Sequence, residues 1–486
     1  MKEDWVECKL GELFNITYGK QLPIKKLKEN GYPVFGANGI IGNYSDYKYE
    51  HKQVLISCRG AASGTINMSP PKCFVTNNSL IIETDESRNI YKKFLLFMLM
   101  GANRSKIISG TAQPQVTINN ANTLKLNVTS LPIQRAIVAK IEELFSSLDS
   151  GIADLTKAQK QLVVYRQAVL KKAFEGELTK EWREKQFNLP TAEELLEQIK
   201  EERERYYEQQ LEDWKKAVEV WEENGKLKRK PSKPRALKTV EEFTRNEILE
   251  FDTLPYIWKW IKLGNIFQVF IGSTPSRNKS EYWQNGSISW VSSGEVAFKA
   301  IFQTKEKITI KGLENTSTTV HPIGTVMLAM IGEGKTRGQA AILEIEACHN
   351  QNTAAIRVSE VGYEPKFLFH YLFFKYEKNR RVGSGNNQKA LNQGRIMDFD
   401  YPLCSPQEQH QIVREIESRL SVCDKVEENI AESLEKAKAL RQSILKKAFE
   451  GKLLSEEEIA KCKREKDYEP AYKLLERIRG EKKQKK

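Results

Sequence analysis

Apolar residues along this chain alternate between two regimes, and the alternation happens twice. In 1–130 and again in 256–403, short β-branched and aromatic runs are broken by Gly, Asn and Pro, as in HKQVLISCRGAASGTINM, SISWVSSGEV and GTVMLAMIG. Such runs predict strands joined by turns, with only short helices such as YKKFLLFMLM (91–100) and PKFLFHYLFFKY (365–376) intervening. After Pro132 the spacing changes to three and four. Ile137, Ile141, Leu144, Leu148, Ile152, Leu155, Leu162 and Val169 mark one face of a long helix. Ile412, Ile416, Cys423, Ile430, Ala437, Leu440 and Ile444 mark the face of another. Pro132 and Pro406 stand at the helix starts, and Gly176 and Gly451 are placed to close them as C′ residues.

The two regimes belong to an internal repeat. The heptapeptide LKKAFEG occurs at 170–176 and again at 445–451, inside RQAVLKKAFEGEL and RQSILKKAFEGKL. Upstream, IVAKIEELFSSLD (137–149) lies over IVREIESRLSVCD (412–424), Gln134 over Gln409, SGTAQ (109–113) over SGNNQ (384–388), and Cys73 over Cys348. Near the module heads, Trp5, Lys9-Leu10-Gly11, Phe14 and Gly19 fall on Trp258, Lys262-Leu263-Gly264, Phe267 and Gly272. Downstream, AEELLEQIK (192–200) meets AYKLLERIR (471–479). Only about 206–255 has no counterpart.

A helix from Pro132 to Gly176 is roughly 65 Å long at 1.5 Å per residue. Its narrow apolar stripe needs a partner, and the other copy carries a matching one, so an antiparallel coiled coil is expected. The competing arrangement packs each helix on its own β domain. The expected seam is Ile137, Ile141, Leu148, Leu155, Leu162 and Val169 against Ile412, Ile416, Ile430, Ala437, Leu440 and Ile444. The fold class is thus α+β: two mostly-β domains in tandem, separated by two long helices, with an internal pseudo-two-fold repeat. The boundaries are 1–130 and 256–403 for the β domains, and 131–180 and 404–454 for the helices. A charged helical linker with a basic connector occupies 181–255, and a charged helical tail 455–486. Thr191-x-x-Glu194 reads as a capping box opening the linker helix, a solvated charged face.

Composition changes the picture in one respect. The net charge is +13, which favours a polyanionic partner. Residues 1–130 carry 16 Lys/Arg against 10 Asp/Glu and 256–403 carry 18 against 12, whereas 181–255 carries 15 against 19, so the excess sits in the two β domains. No apolar run approaches a membrane span, and the N-terminus lacks the basic-then-apolar layout of a secretion signal. Seven scattered cysteines without a C-x-x-C pair read as reduced thiols of a cytoplasmic protein, and no metal site is expected.

Catalytic patterns are weak. AMIGEGKT (329–336) fits a relaxed phosphate-loop pattern, but RGQAAILEIEA after it reads as strand, where a phosphate loop needs a helix. SPPKCF (69–74) has Lys72 where a base-stacking aromatic would stand, and VFGANG (34–39) is only a loose echo of a cofactor loop. The chain therefore reads as a binding protein. Lys and Arg in loops contact phosphates, and Arg, Asn and Gln read base edges. Equivalent loops of the two copies supply the candidates: Arg59 against Lys335 and Arg337, and Gln113 and Gln115 against Asn386, Asn387, Gln388 and Lys389. Lys20, Arg277, Lys279 and Trp283 flank the Gly-rich module openings. The SG-x2-Q frame itself reads equally well as a structural turn.

The chain resembles the specificity (S) subunit of type I restriction–modification systems. The carriers are W-x3-KLG-x2-F (5–14 and 258–267), the SG-x2-Q frame, SLPIQRAIVAKIE with SPQEQHQIVREIE, and the RQ-x2-LKKAFEG-x-L helix ends. One departure is LPIQ in the first copy where the second has SPQEQ, the more usual family form. The resemblance implies two target-recognition domains, each reading one half of a bipartite, asymmetric site in double-stranded DNA, with helix length fixing the unread spacer. It implies assembly with two modification subunits, which use S-adenosylmethionine, and with restriction subunits, which use ATP and magnesium. No cofactor is then expected on this chain, and catalysis is expected on the partners. Two other readings remain: a bivalent scaffold for RNA or acidic proteins, and an ATPase using AMIGEGKT.

Overall fold

The computed structural model describes residues 4–84, 89–110, 112–225, 230–231, 233–234, 239–332, 334–358, 361–381 and 390–484. The chain divides into two compact units, 1–159 with 428–486, and 160–427. Each therefore takes part of both long helices.

In the first unit, Asn15–Tyr18, Ser79–Glu83, Val54–Ser57 and Ile66–Met68 pair in that order, all antiparallel. Beside them Tyr32–Phe35 pairs antiparallel with Ile40–Tyr44 and parallel with Phe74–Val75. Val6–Lys9 pairs with Lys125–Val128 at the junction with the first long helix. The second unit repeats the plan. Gln268–Ile271, Thr353–Arg357, Val326–Ala329 and Ala340–Leu343 take the same order, and Lys299–Ile301 adds a fifth strand. Ile288–Val291 pairs antiparallel with Glu306–Ile308 and parallel with Ala347–His349, while Lys259–Lys262 pairs with Asp400–Leu403. The central runs VLIS and VMLA are buried at every position, so they read as continuous apolar stretches rather than alternating ones. The expected short helices form at Lys92–Gly101 and Pro365–Phe374.

The long helices span Leu131–Phe174 and Pro406–Phe449, 44 residues each. Both end as expected. Gly176 (φ +75°) and Gly451 (φ +72°) are left-handed, with Glu177 N–H donating to Lys172 O (2.9 Å) and Lys452 N–H to Lys447 O (2.8 Å). Ile416, Cys423, Ile430, Ala437 and Ile444 are buried at seven-residue intervals, and Leu148, Leu155 and Leu162 are half-buried, as two helices alone leave a seam. The pairing is antiparallel within each unit: Asp149 meets Arg441 in the first, and Arg166 reaches Asp424 (2.7 Å) and Glu427 (2.8 Å) in the second. Leu440 corrects the expected seam, because it is 51% exposed. The second buried track runs four residues after the first, through Leu434 and Arg441, and Arg441 covers the Phe145 ring (4.5 Å). Leu440 is one position off that track.

The helix ends combine both expected arrangements. Ile133, Ile137, Val138, Ile141 and Phe145 enter the core of the first β module, and Ile412, Val413 and Ile416 that of the second. The final turns do the opposite. Leu170, Ala173 and Phe174 join the core of the second module, whereas Ile444, Leu445 and Ala448 join that of the first. The duplicated heptapeptide is thus a docking element that each copy presents to the other copy's module. The following helices continue the exchange. Ala192, Leu195 and Ile199 pack on the second module, with Arg203 donating to Asn265 O (2.6 Å) and Gly264 O (3.3 Å). Leu474, Leu475 and Ile478 pack on the first, with Lys482 donating to Phe14 O (2.7 Å) and Gly11 O. The charged tail is therefore partly core, and the linker helix (Ala192–Glu223) opens with the expected capping box.

One buried position separates the two junctions. Glu408 is fully buried and accepts from Trp258 Nε1, Thr179 Oγ1 and Arg183 Nε, each at 2.8 Å. Its counterpart in the first copy is Ile133, packed beside Leu453, Leu454 and Ile459. Among the described residues no helix is long and apolar enough to cross a membrane.

Candidate nucleic-acid interface

The loops that carry most of the candidate residues in the first module are tied edge to edge by their backbones. Lys20 N–H donates to Val75 O (2.9 Å), Thr76 N–H to Phe35 O (2.9 Å), and Cys58 N–H to Asn78 O (2.9 Å). Val116 N–H then donates to Cys58 O (3.0 Å) and Gly60 N–H to Pro114 O (3.1 Å), while Arg59 bridges Gln115. This sets the order Lys20, then 76–78, then Arg59, then Gln115 across one edge. Ser57 and Ser79 hydroxyls hold the Gly36–Ala37 turn against the same edge. The second module builds the same lattice. Ser273 N–H donates to His349 O (2.9 Å), Asn350 N–H to Val291 O (3.0 Å), Met330 N–H to Asn352 O (2.9 Å) and Leu391 N–H to Met330 O (3.0 Å). Close approach explains the aligned glycines: a Cβ on Gly19 would lie 2.1 Å from Thr76 O, and one on Gly272 2.1 Å from His349 O.

Lys20, Arg59, Gln113 and Gln115 are exposed. Among the described residues neither Lys20 nor Arg59 has an acidic partner, so both cations face solvent. Gly110 is left-handed (φ +84°), and a Cβ there would meet Gln113 O at 2.7 Å, so a structural demand accounts for the glycine of the SG-x2-Q frame in the first copy. Its counterpart, with Asn386, Asn387, Gln388 and Lys389, lies outside the described residues. Lys335 is exposed and Arg337 half-buried, on the connection between Val326–Ala329 and Ala340–Leu343. Those strands form an antiparallel pair, so AMIGEGKT is a strand-to-strand connection and not a phosphate loop leading into a helix.

Arg277 and Trp283 are engaged within the protein. The guanidinium lies 3.7 Å from the Trp283 ring centre and makes a two-pronged ion pair with Glu306, Nη2 to Oε2 at 2.9 Å. That bond raises the Arg277 pKa and lowers that of Glu306. Trp283 Nε1 donates to Ser276 O (3.2 Å), and the ring meets Trp290 edge-on at 5.1 Å. Lys279 is exposed and donates to the Tyr282 hydroxyl (3.0 Å). These three residues buttress the loop at 273–283 before they touch any ligand.

Sequence reasoning missed the amides at the centre of each lattice: Asn77 and Asn78, and Gln351 and Asn352. Asn77, Asn78 and Asn352 are half-buried. A signal existed, because each group follows shortly after an aligned cysteine, in CFVTNN and CHNQN. Beneath the second lattice lies a buried pair, His321 and His349, with Nε2 atoms 3.2 Å apart and Arg357 Nε donating to His321 Nδ1 (3.1 Å). Burial pushes His349 down to about 4, and burial with the neighbouring His349 and Arg357 pushes His321 to about 2.

A family model described as the type I restriction modification DNA specificity domain matches residues 2–162 and again 255–436. The EcoDI type I restriction enzyme specificity subunit of Escherichia coli is 22% identical over 466 residues, 93% of this chain and 89% of that protein. The EcoBI specificity subunit, also of Escherichia coli, is 22% identical over 481 residues, 93% and 87% of the two chains. Among solved structures, a chain from a study of assembly and conformational transition of the type I R-M system superposes with a TM-score of 0.61. It is 17% identical, covering 93% of this chain and 98% of that one. The HsdS subunit of Thermoanaerobacter tengcongensis gives 0.51 at 16% identity, with the same coverage. At these identities the structural likeness speaks for the fold.

Proposed function

The chain belongs to the type I restriction–modification DNA specificity family, and from that premise we propose that it is the sequence-reading subunit of such a complex. Each β module reads one half of a bipartite, asymmetric site in double-stranded DNA. The two long helices set the unread spacer and dock two modification subunits. Methyl transfer with S-adenosylmethionine, and cleavage with ATP and magnesium on restriction subunits, belong to the partners. The observation that carries this reading is the loop lattice, built twice on one backbone plan with different exposed side chains: Lys20, Arg59, Gln113 and Gln115 in one module, Lys335 in the other. A common frame with unlike surfaces is what reading two unlike half-sites requires.

In this complex Lys20, Arg59, Lys335 and Lys279 neutralise phosphates, giving salt-dependent affinity. We assign base-edge reading to Gln113 and Gln115 in the first module; in the second, Arg277 braces its own loop through Trp283 and Glu306, and Arg337 is a further candidate for DNA contact. The test exchanges residues 1–130 with those of another family member and maps methylated adenines in cells carrying the modification partner. One half of the recognised sequence should change and the other should persist. An unchanged methylation motif refutes the reading.

A further inference from the structure

Resting on the DNA-reading role above, we propose that Asn77, Asn78 and Asn352 are base-reading side chains, taking the major-groove edge of adenine. Lys20 and Arg59 grip the phosphates on either side of the first group. Three backbone bonds pin the Asn77–Asn78 segment, from Lys20 to Val75, from Thr76 to Phe35 and from Cys58 to Asn78. Asn352 is pinned through Met330 and through its own N–H to Asn350 Oδ1 (3.0 Å). Their backbones are therefore held in place, and little backbone entropy remains to be lost on binding.

The amides themselves are left open to water or a ligand. Asn77, Asn78 and Asn352 are half-buried, and among the described residues none of their side chains has a hydrogen-bond partner. Some amides are used internally, as Asn127 donates to Phe449 O (3.2 Å) and Gln134 to Thr129 O (2.7 Å); what sets these three apart is their place at the centre of the loop lattice. An amide that is partly withdrawn from water and left unpaired costs stability unless a ligand or water completes it. A carboxamide offers one donor and one acceptor side by side, which matches adenine N7 and N6. Gln351 differs because it is tied to Thr274, so Asn352 is the open amide of the second group. The flanking cations fit phosphates, since neither is committed to an acid on the protein.

The test uses the full chain assembled with its modification subunits, selecting duplexes from a random library and titrating salt. Asn77→Ala and Asn78→Ala should each relax one adenine position of the first half-site by roughly 5- to 150-fold, leaving the second half-site and the salt slope intact. Asn352→Ala should do the same in the second half-site. Lys20→Ala should leave the motif unchanged and lower the salt slope by about one unit. Asn78→Ser, which keeps a small polar group, guards against a folding defect, with thermal melts as control. Unchanged motifs in all three asparagine variants, with Lys20→Ala still lowering the slope, overturn this assignment while leaving the DNA-reading role standing. Relaxation at a guanine position overturns the adenine match. A wild-type complex that selects no duplex sequence overturns the DNA-reading role itself.

Discussion

Replacing Glu408 with alanine should strongly destabilise the second unit. The carboxylate is fully buried and holds three donors at 2.8 Å: Trp258 Nε1, Thr179 Oγ1 and Arg183 Nε. Arg183 itself is 13% exposed, so the ion pair has little solvent to screen it. Removing one member of such a pair strands a buried charge, which costs about 3–5 kcal/mol. Removing both costs less: Glu408→Ile with Arg183→Met strands no charge, and should cost about 1–3 kcal/mol because Trp258 Nε1 and Thr179 Oγ1 still lose their acceptor. Urea unfolding followed by tryptophan fluorescence measures Glu408→Ala, the singles Glu408→Ile and Arg183→Met, and their double, and the coupling in that cycle should exceed about 2 kcal/mol. A Glu408→Ala cost below about 1 kcal/mol, or additive single and double effects, would refute the argument that this network locks the junction.

Three more outcomes follow from single side chains. Ile430→Asp should destabilise the helix pair by about 2–4 kcal/mol because the position is 5% exposed, whereas Leu440→Asp, at 51%, should stay within about 0.5 kcal/mol in the same melts. Gly451→Ala should cost more than about 1 kcal/mol, since φ is +72° and the new Cβ would sit 2.7 Å from Trp5 Nε1; thermal denaturation at neutral pH reads it. The second unit should lose stability as pH falls below about 6.5, the unfolded histidine value, towards about 4, because the unfolded chain takes up protons that His321 and His349 refuse. Melts between pH 7 and 4.5 should show a shallower decline for His349→Phe, and an unaltered pH dependence would count against the buried neutral pair.

The periodicity of apolar residues was enough to locate both long helices, their glycine ends and the strand-rich modules, because these are local properties of spacing and backbone sterics. The exposed cations Lys20 and Arg59 were legible for a similar reason: they sit in loops that no apolar pattern claims. Arg277 and Trp283 were not, since their partner Glu306 lies 29 residues from Arg277 in sequence and is brought beside it only by the pairing of Trp290 with Glu306. Leu440 looked like seam because three–four spacing tolerates either neighbour of a track. Only the facing helix chooses between them, and it chose Arg441. Asn77, Asn78 and Asn352 were hidden differently, because an asparagine after a strand usually signals a turn, and only the backbone pairing of distant loops shows which asparagines stand at the centre of a lattice.

The duplication shows where the sequence stops. By itself it determined that two equivalent modules and two equivalent helices exist, and that LKKAFEG ends each helix in the same way. It could not determine which module receives which helix end, because apolar burial is non-directional and both copies offer the same leucine, alanine and phenylalanine. Tertiary structure decided that each ending docks on the other copy's module. Glu408 with Arg183 at one junction and Ile133 at the other make the two dockings chemically unlike, since a buried charge tolerates only the junction that pairs it.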